Sequence, residues 1–254
     1  MAIEIEQFMC RSDNFGVLLH DPASGETASI DAPEADPILN ALARRGWTLT
    51  HVLVTHHHHD HVEAIDALRA LGAEIIGPEA EASRIRGLDR TVRGGASFEV
   101  CGERVEVIDT PGHTSGQIAY HMPGPARVFT ADALFSLGCG RVFEGTAAQM
   151  HASLQRLAAL PAETLVHCGH EYTASNARFA LTVDPDNDAL RARAAEVAER
   201  TARGEPTLPV RLAAELAQNP FLRPHDRAIR RTLGMAEATD GEVFAELRAR
   251  KDRF

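Results

Sequence analysis

Aromatic side chains are scarce in this chain: one tryptophan, two tyrosines and ten phenylalanines make up 5% of its 254 residues. A platform that stacks successive nucleic-acid bases needs more of them, so that class is disfavoured. Positive charge is short as well, and a formal net charge of −10 repels a phosphate backbone overall. No run of eighteen apolar residues occurs, which excludes a membrane-spanning helix as an expectation. The N-terminus, MAIEIEQFMCRSD, is acidic and alternating rather than basic and then apolar, unlike a signal peptide. Cysteine is used four times, at 10, 101, 139 and 168, with no CxxC pair. That pattern is neither a disulfide framework nor a thiolate zinc knuckle, and it suits a reducing cytoplasm.

What is present is an apolar fraction of 44%, enough for a sizeable core, and thirteen histidines. Over roughly the first two thirds, short strands alternate with turns and a few helices. IEIEQF (3–8), GVLLH (16–20) and TASID (27–31) predict a β meander, and APEADPILNALARRG a helix closing at Gly46. THVLVT (50–55) is a buried strand by its β-branched, apolar content. DHVEAIDALRALG (60–72) places apolar residues at helical spacing and ends on Gly72. AEIIG, RVEVID, GQIAYHM, ARVFTAD and ETLVHCGH read as further strands, and PEAEASRIRG as a helix. TAAQMHASLQRLAAL (146–160) opens with a capping box, Thr146 with Gln149. From about residue 174 the chain becomes Ala/Arg/Glu-rich and helical throughout. The expected organisation is therefore a β-rich α/β body over 1–173 and a small all-helical domain over 174–254.

Positions 56 to 61 hold five histidines and one aspartate, directly behind the strand at 50–55. An internal run broken by Asp60 is not a purification tag. Side chains two apart on an extended segment share a face, so His56 and His58 can grip one ion while His57 and His59 point away. Asp60 and His61 start the next helix. Six groups so closely spaced cannot all reach one ion, and two neighbouring metals fit better. His113 in TPGHT, Asp132 in TADALF and His170 in CGHEY each follow a strand, where a rigid sheet positions ligands. Asp132 is the candidate bridge. Nitrogen and oxygen donors of this kind suit zinc ahead of iron or manganese, and suit calcium poorly. His51, His121, His151, His167 and His225 read as structural. Cys168, two residues before His170, has no partner base and reads as a core thiol.

Together THHHHDH, TPGHT, ADALF and GHEYT resemble the metallo-β-lactamase superfamily. GCGRVFEGT (138–146), NPFLR (219–223) and the terminal LRARKDRF narrow the resemblance to glyoxalase II, the hydroxyacylglutathione hydrolases, over essentially the whole chain. The resemblance implies a four-layered αββα sandwich with the helical domain as a substrate-binding cap. It implies one metal on His56, His58 and His113, a second on Asp60, His61 and His170, and Asp132 between them. Two divalent ions and a bridging hydroxide, positioned by Asp60 and Asp132, would hydrolyse S-D-lactoylglutathione to D-lactate and glutathione. Water on such a metal has its pKa lowered to about 7, and the metal steadies the oxyanion. Arg141, Phe143, Tyr172, Arg248 and Lys251 match positions that contact glutathione in the family.

Some residues depart from the family pattern. Ala131 and Glu63-Ala64 stand where glycines are usual, Gln117 replaces a frequent histidine, and Phe143 stands where some members have tyrosine. The alternative function is a glutathione persulfide dioxygenase with a single iron. A nucleic-acid-processing relative and a non-catalytic metal-binding protein are further readings, the first opposed by the acidic charge. A monomer acting on a small glutathione thioester, without nucleic acid or membrane, is expected.

Overall fold

The alternating N-terminal segment is half-buried, and its alternation becomes a strand. In a computed structural model describing residues 2–254, β1 (Glu4–Cys10) pairs antiparallel with β2 (Asn14–His20), Glu4 opposite His20. β3 (Thr27–Ile30) continues the meander. The chain then crosses through helix α1 (Ala35–Arg45), which buries Ile38, Ala41 and Leu42 and stops at left-handed Gly46. β4 (His51–Leu53) returns parallel to β3.

The helix expected over 60–72 is divided into α2 (His59–Val62) and α3 (Ile65–Arg69). The cause is a long-range bond: the Ala64 amide, which a continuous helix would spend on Asp60, donates instead to Ala32 O at 2.9 Å. β5 (Glu74–Pro78) and β6 (Arg90–Val92) extend the sheet in parallel, giving the order β1-β2-β3-β4-β5-β6. Between them PEAEASRIRG forms only a 3-10 turn, Glu79–Glu81, and not the expected helix. Glu81 is fully buried with its carboxylate turned inward, and left-handed Gly87 ends the segment. A second antiparallel run follows in β7 (Ser97–Val100), β8 (Glu103–Asp109), β9 (Ile118–Met122) and β10 (Arg127–Ala131).

The chain divides into two compact units. One runs to Asp109 and takes in Ser115–Thr130; the other is Thr110–Thr114 with Ala131–Phe254. In the first, alternate residues of the first sheet serve two cores. Val17, Leu19, Leu53 and Ile76 pack with Val105, Ile118, Tyr120 and Phe129. Leu18, Val52 and Ile75 pack with Ile38, Leu42 and Leu68 of the helices. Each such side chain contributes about 1.5–3 kcal/mol when fully buried. Covering both faces explains why these strands read as continuous apolar runs.

The second unit opens with a short hairpin, β11 (Leu134–Phe135) and β12 (Gly138–Cys139). Helix α4 (Ala147–Ala158) begins with the expected box: Thr146 accepts from Gln149 N, and the Gln149 side chain accepts from Thr146 N. β13 (Leu165–Cys168) pairs antiparallel with β14 (Val210–Arg211). Helices α5 (Thr173–Val183), α6 (Asp188–Ala202), α7 (Leu212–Gln218), α8 (Arg227–Leu233) and α9 (Asp240–Arg253) complete it. Among the described residues no helix is long and apolar enough to cross a membrane. Thr146→Ala removes one orphan-amide acceptor and should lower stability by about 1 kcal/mol, read as a shifted urea midpoint at unchanged m.

Candidate metal centre

The histidine-rich segment leaves β4 as an extended loop, and each ring is held by its far nitrogen. His61 sets Nδ1 against Asp31 Oδ2 at 2.7 Å. Asp31 also accepts from Thr55 N at 2.7 Å and Thr55 Oγ1 at 2.9 Å. Thr55 Oγ1 in turn lies 3.0 Å from His56 Nδ1. His56 Nε2 faces His58 Nδ1 at 3.2 Å. Asp60 Oδ2 accepts from Asn14 Nδ2 at 3.1 Å. His57 turns to Glu81, whose carboxylate takes both its Nδ1 and its main-chain N at 2.7 Å. His59 is exposed beside Glu63.

The second unit presents His113, Asp132 and His170, all buried. His113 Nδ1 donates to Arg141 O at 2.8 Å, which turns its Nε2 toward Asp132 Oδ2, 3.4 Å away. His170 Nε2 lies 3.3 Å from the same oxygen. His170 stacks on Tyr172 with centroids 4.7 Å apart, and Phe143 lies 5.2 Å from His113. Gly140 has no room for a side chain, since a Cβ there would stand 1.9 Å from the Asp132 carbonyl oxygen.

Within the first unit His56, His58, Asp60 and His61 cluster on one short segment, and within the second His113 and His170 both approach one oxygen of Asp132. The donor chemistry fits divalent ions: a proton fixed on Nδ1 leaves the Nε2 lone pair for metal, and an anchored ring stays in register.

Cations gather on α5, α9 and the 140–141 turn. Arg141 and Arg178 are exposed. Lys251, the only lysine in the chain, places Nζ 3.2 Å from Ser175 O. Burial, with Arg248, Arg178 and Arg141 nearby, lowers its pKa to about 8. Arg248 is buried, donating to Cys139 O at 2.8 Å and pairing with Asp252 at 2.9 Å. Its guanidinium thus engages both a main-chain carbonyl and the Asp252 carboxylate. Burial pushes the Cys168 thiol far above its ordinary range, in keeping with a core cysteine.

A family model described as metallo-beta-lactamase superfamily matches residues 13–170, and one described as hydroxyacylglutathione hydrolase C-terminus matches residues 171–254. The hydroxyacylglutathione hydrolase of Mesorhizobium japonicum is 59% identical over 255 residues, covering 100% of each chain. That of Brucella anthropi is 59% identical over 253 residues, covering 99% of this chain and 97% of the relative. The chain belongs to the hydroxyacylglutathione hydrolase family.

Among solved structures, ETHE1 from Myxococcus xanthus matches with a TM-score of 0.68 at 29% identity, covering 98% of both chains. TTHA1623 in a di-iron-bound form matches with a TM-score of 0.55 at 26% identity, covering 66% of this chain and 91% of that one. The expected αββα sandwich with C-terminal helices is therefore the fold, and hydroxyacylglutathione hydrolase membership brings divalent-metal binding with it.

The departures from the hydroxyacylglutathione hydrolase pattern now have structures. Ala131 adopts φ 41°, the left-handed region its usual glycine would occupy, at a cost of roughly 1 kcal/mol. Gln117 is buried and donates to Thr130 O at 3.3 Å. Glu63 is answered by Arg11 and His59. Phe143 is 62% exposed. Asp31 and Glu81, which hold the loop, were missed in the sequence; the only signals were an aspartate closing a strand and a glutamate in a predicted helix. Gly140→Ala should cost about 2–3 kcal/mol by overpacking and reduce bound metal, measured by thermal melting and elemental analysis.

Proposed function

We propose that this chain hydrolyses S-D-lactoylglutathione to D-lactate and glutathione with two divalent ions. The full-length hydroxyacylglutathione hydrolase relatives, 59% identical, carry the assignment of reaction class. The clustered imidazole and carboxylate donors within each unit support the binding of divalent ions. His56, His58 and His113 would hold one; Asp60, His61 and His170 the other; Asp132 would serve both. Zinc is the proposed occupant, and iron or manganese suits the same donors. Such ions supply water acidic enough to lose its proton near neutral pH and a Lewis acid for the thioester carbonyl.

The remaining work falls to the protein. Asp60, steadied by Asn14, and Asp132, flanked by His113 and His170, orient the attacking water. The leaving thiolate is stable enough to depart without a general acid, which suits a site whose Cys168 thiol is buried and inert. Arg141 and Lys251 meet the carboxylates of glutathione, Tyr172 offers its hydroxyl to the peptide, and Phe143 offers an apolar face. Arg248 builds the same surface through Cys139.

Residues 1–173 are the proposed catalytic part and 174–254 the substrate-binding cap. One chain carries every proposed ligand and cation, so a monomer suffices. The four buried, unpaired cysteines suit a reducing cytoplasm. The single-iron persulfide dioxygenase is not favoured, because the relatives at high identity are hydrolases along their whole length.

Thioesterase assays across acyl-glutathiones, run with elemental analysis, test the proposal. Two metal equivalents and turnover of lactoylglutathione are expected, and Asp132→Ala should lose that turnover by orders of magnitude. One iron with rapid oxygen uptake on glutathione persulfide would overturn it. The pH dependence of KM gives a second test. With its pKa lowered to about 8, Lys251 is charged below that pH and neutral above it. KM should therefore climb as pH rises through this value, by roughly ten-fold for one charge-assisted contact. The climb should vanish in Lys251→Met.

A further inference from the structure

The β11–β12 hairpin is gripped by helical side chains around almost its whole turn. Glu215 on α7, fully buried, accepts from Ser136 Oγ and from Leu137 N, each at 2.8 Å. Asn219 Nδ2 donates to Glu215 at 2.9 Å, to Gly138 O at 3.0 Å and to Phe135 O at 3.2 Å. Asn176 Nδ2 donates to Ser136 O at 3.1 Å. Arg248 closes the far end on Cys139 O at 2.8 Å and Gly140 O at 3.4 Å. Leu137 is held at φ 57°, a left-handed turn that a leucine does not adopt unaided.

The residues this hairpin delivers next belong to the metal centre. Gly140 packs on the Asp132 carbonyl. The Arg141 carbonyl accepts the Nδ1 proton of His113. An ionised side chain with no exposure is costly unless every lone pair is met, and an apolar residue would cap a two-stranded hairpin more cheaply. What the carboxylate adds is a fixed main-chain position from Ser136 onward.

We infer that Glu215 is a positioning residue for the metal centre: by clamping Ser136 and Leu137 it sets the Arg141 carbonyl that orients His113, and the turn that supports Asp132. The inference rests on the metal-centre reading above. It gives the C-terminal helices a second duty, that of holding metal ligands as well as meeting substrate. Glu215→Gln should preserve the clamp. Its oxygen still accepts from Leu137 and Asn219, and the Ser136 hydroxyl can turn to accept from the new amide. Glu215→Leu cannot.

The test measures zinc affinity of the full-length, metal-stripped protein by competition with a chromogenic chelator. Wild type, Glu215→Gln and Glu215→Leu are compared. Leu42→Ala, a core truncation on α1, controls for lost stability. Glu215→Leu should bind one of its two ions about 10–100-fold more weakly, Glu215→Gln should stay close to wild type, and Leu42→Ala should lose thermal stability but no affinity. Equal affinity in Glu215→Leu and wild type overturns the inference and leaves the metal-centre reading standing. Wild type that takes up no zinc overturns both. Should Glu215→Leu not fold, Ser136→Ala removes a single bond of the clamp; it should weaken the same ion to a smaller degree, and unchanged affinity overturns the inference equally.

Discussion

An imidazole can offer Nε2 to a metal only while its Nδ1 proton has somewhere to go, and this fold is arranged around that requirement. His61 gives the proton to Asp31, His113 to the Arg141 carbonyl, and His56 faces the Thr55 hydroxyl. Each acceptor is itself fixed by main chain at a strand end or in a hairpin. The parallel strands, the break between α2 and α3 and the left-handed Asp31 all serve the placing of these acceptors. Ring orientation, not merely the count of histidines, is what the tertiary structure supplies.

Buried acids divide this task. Asp31 ties the end of β3 to Thr55 and His61. Glu81 joins the His57 main chain to Gly116 N at 3.0 Å, so the loop at 55–58 and the entry to β9 share one anion. Glu215 does the corresponding work in the second unit. None is a candidate ligand; Asp31 and Glu81 bond main-chain amides next to one, and Glu215 bonds the amide of Leu137 in the hairpin that follows Asp132. Main-chain amides are the natural partners, because they cannot rotate away from a carboxylate once the backbone is placed.

The donor run HxHxDH stands out because its spacing follows backbone geometry, and His113, Asp132 and His170 because each follows a strand. The capping box at Thr146 and the glycine stop at Gly46 were legible because their partners lie within four residues. The division of the 60–72 helix was not, since it depends on Ala32, thirty-two positions away from Ala64. Glu81 and Glu215 fall in segments that read as helices, and their burial follows from distant amides that no local pattern announces. Arg248 shows the same limit. Its family resemblance marked it for glutathione, whereas its bonds to the carbonyls of Cys139 and Gly140 and to Asp252 follow from tertiary packing.

The solitary lysine has a practical side. Its ammonium leans over the rings of Phe179 and Phe254, at 5.4 and 5.1 Å from their centres. Reagents that target ε-amines therefore find a single address on this molecule, and it sits among the cations of α5 and α9. Coupling the protein to a bead or dye through amines would mask that one surface. Linkage through a thiol engineered away from α5 and α9 would leave it clear.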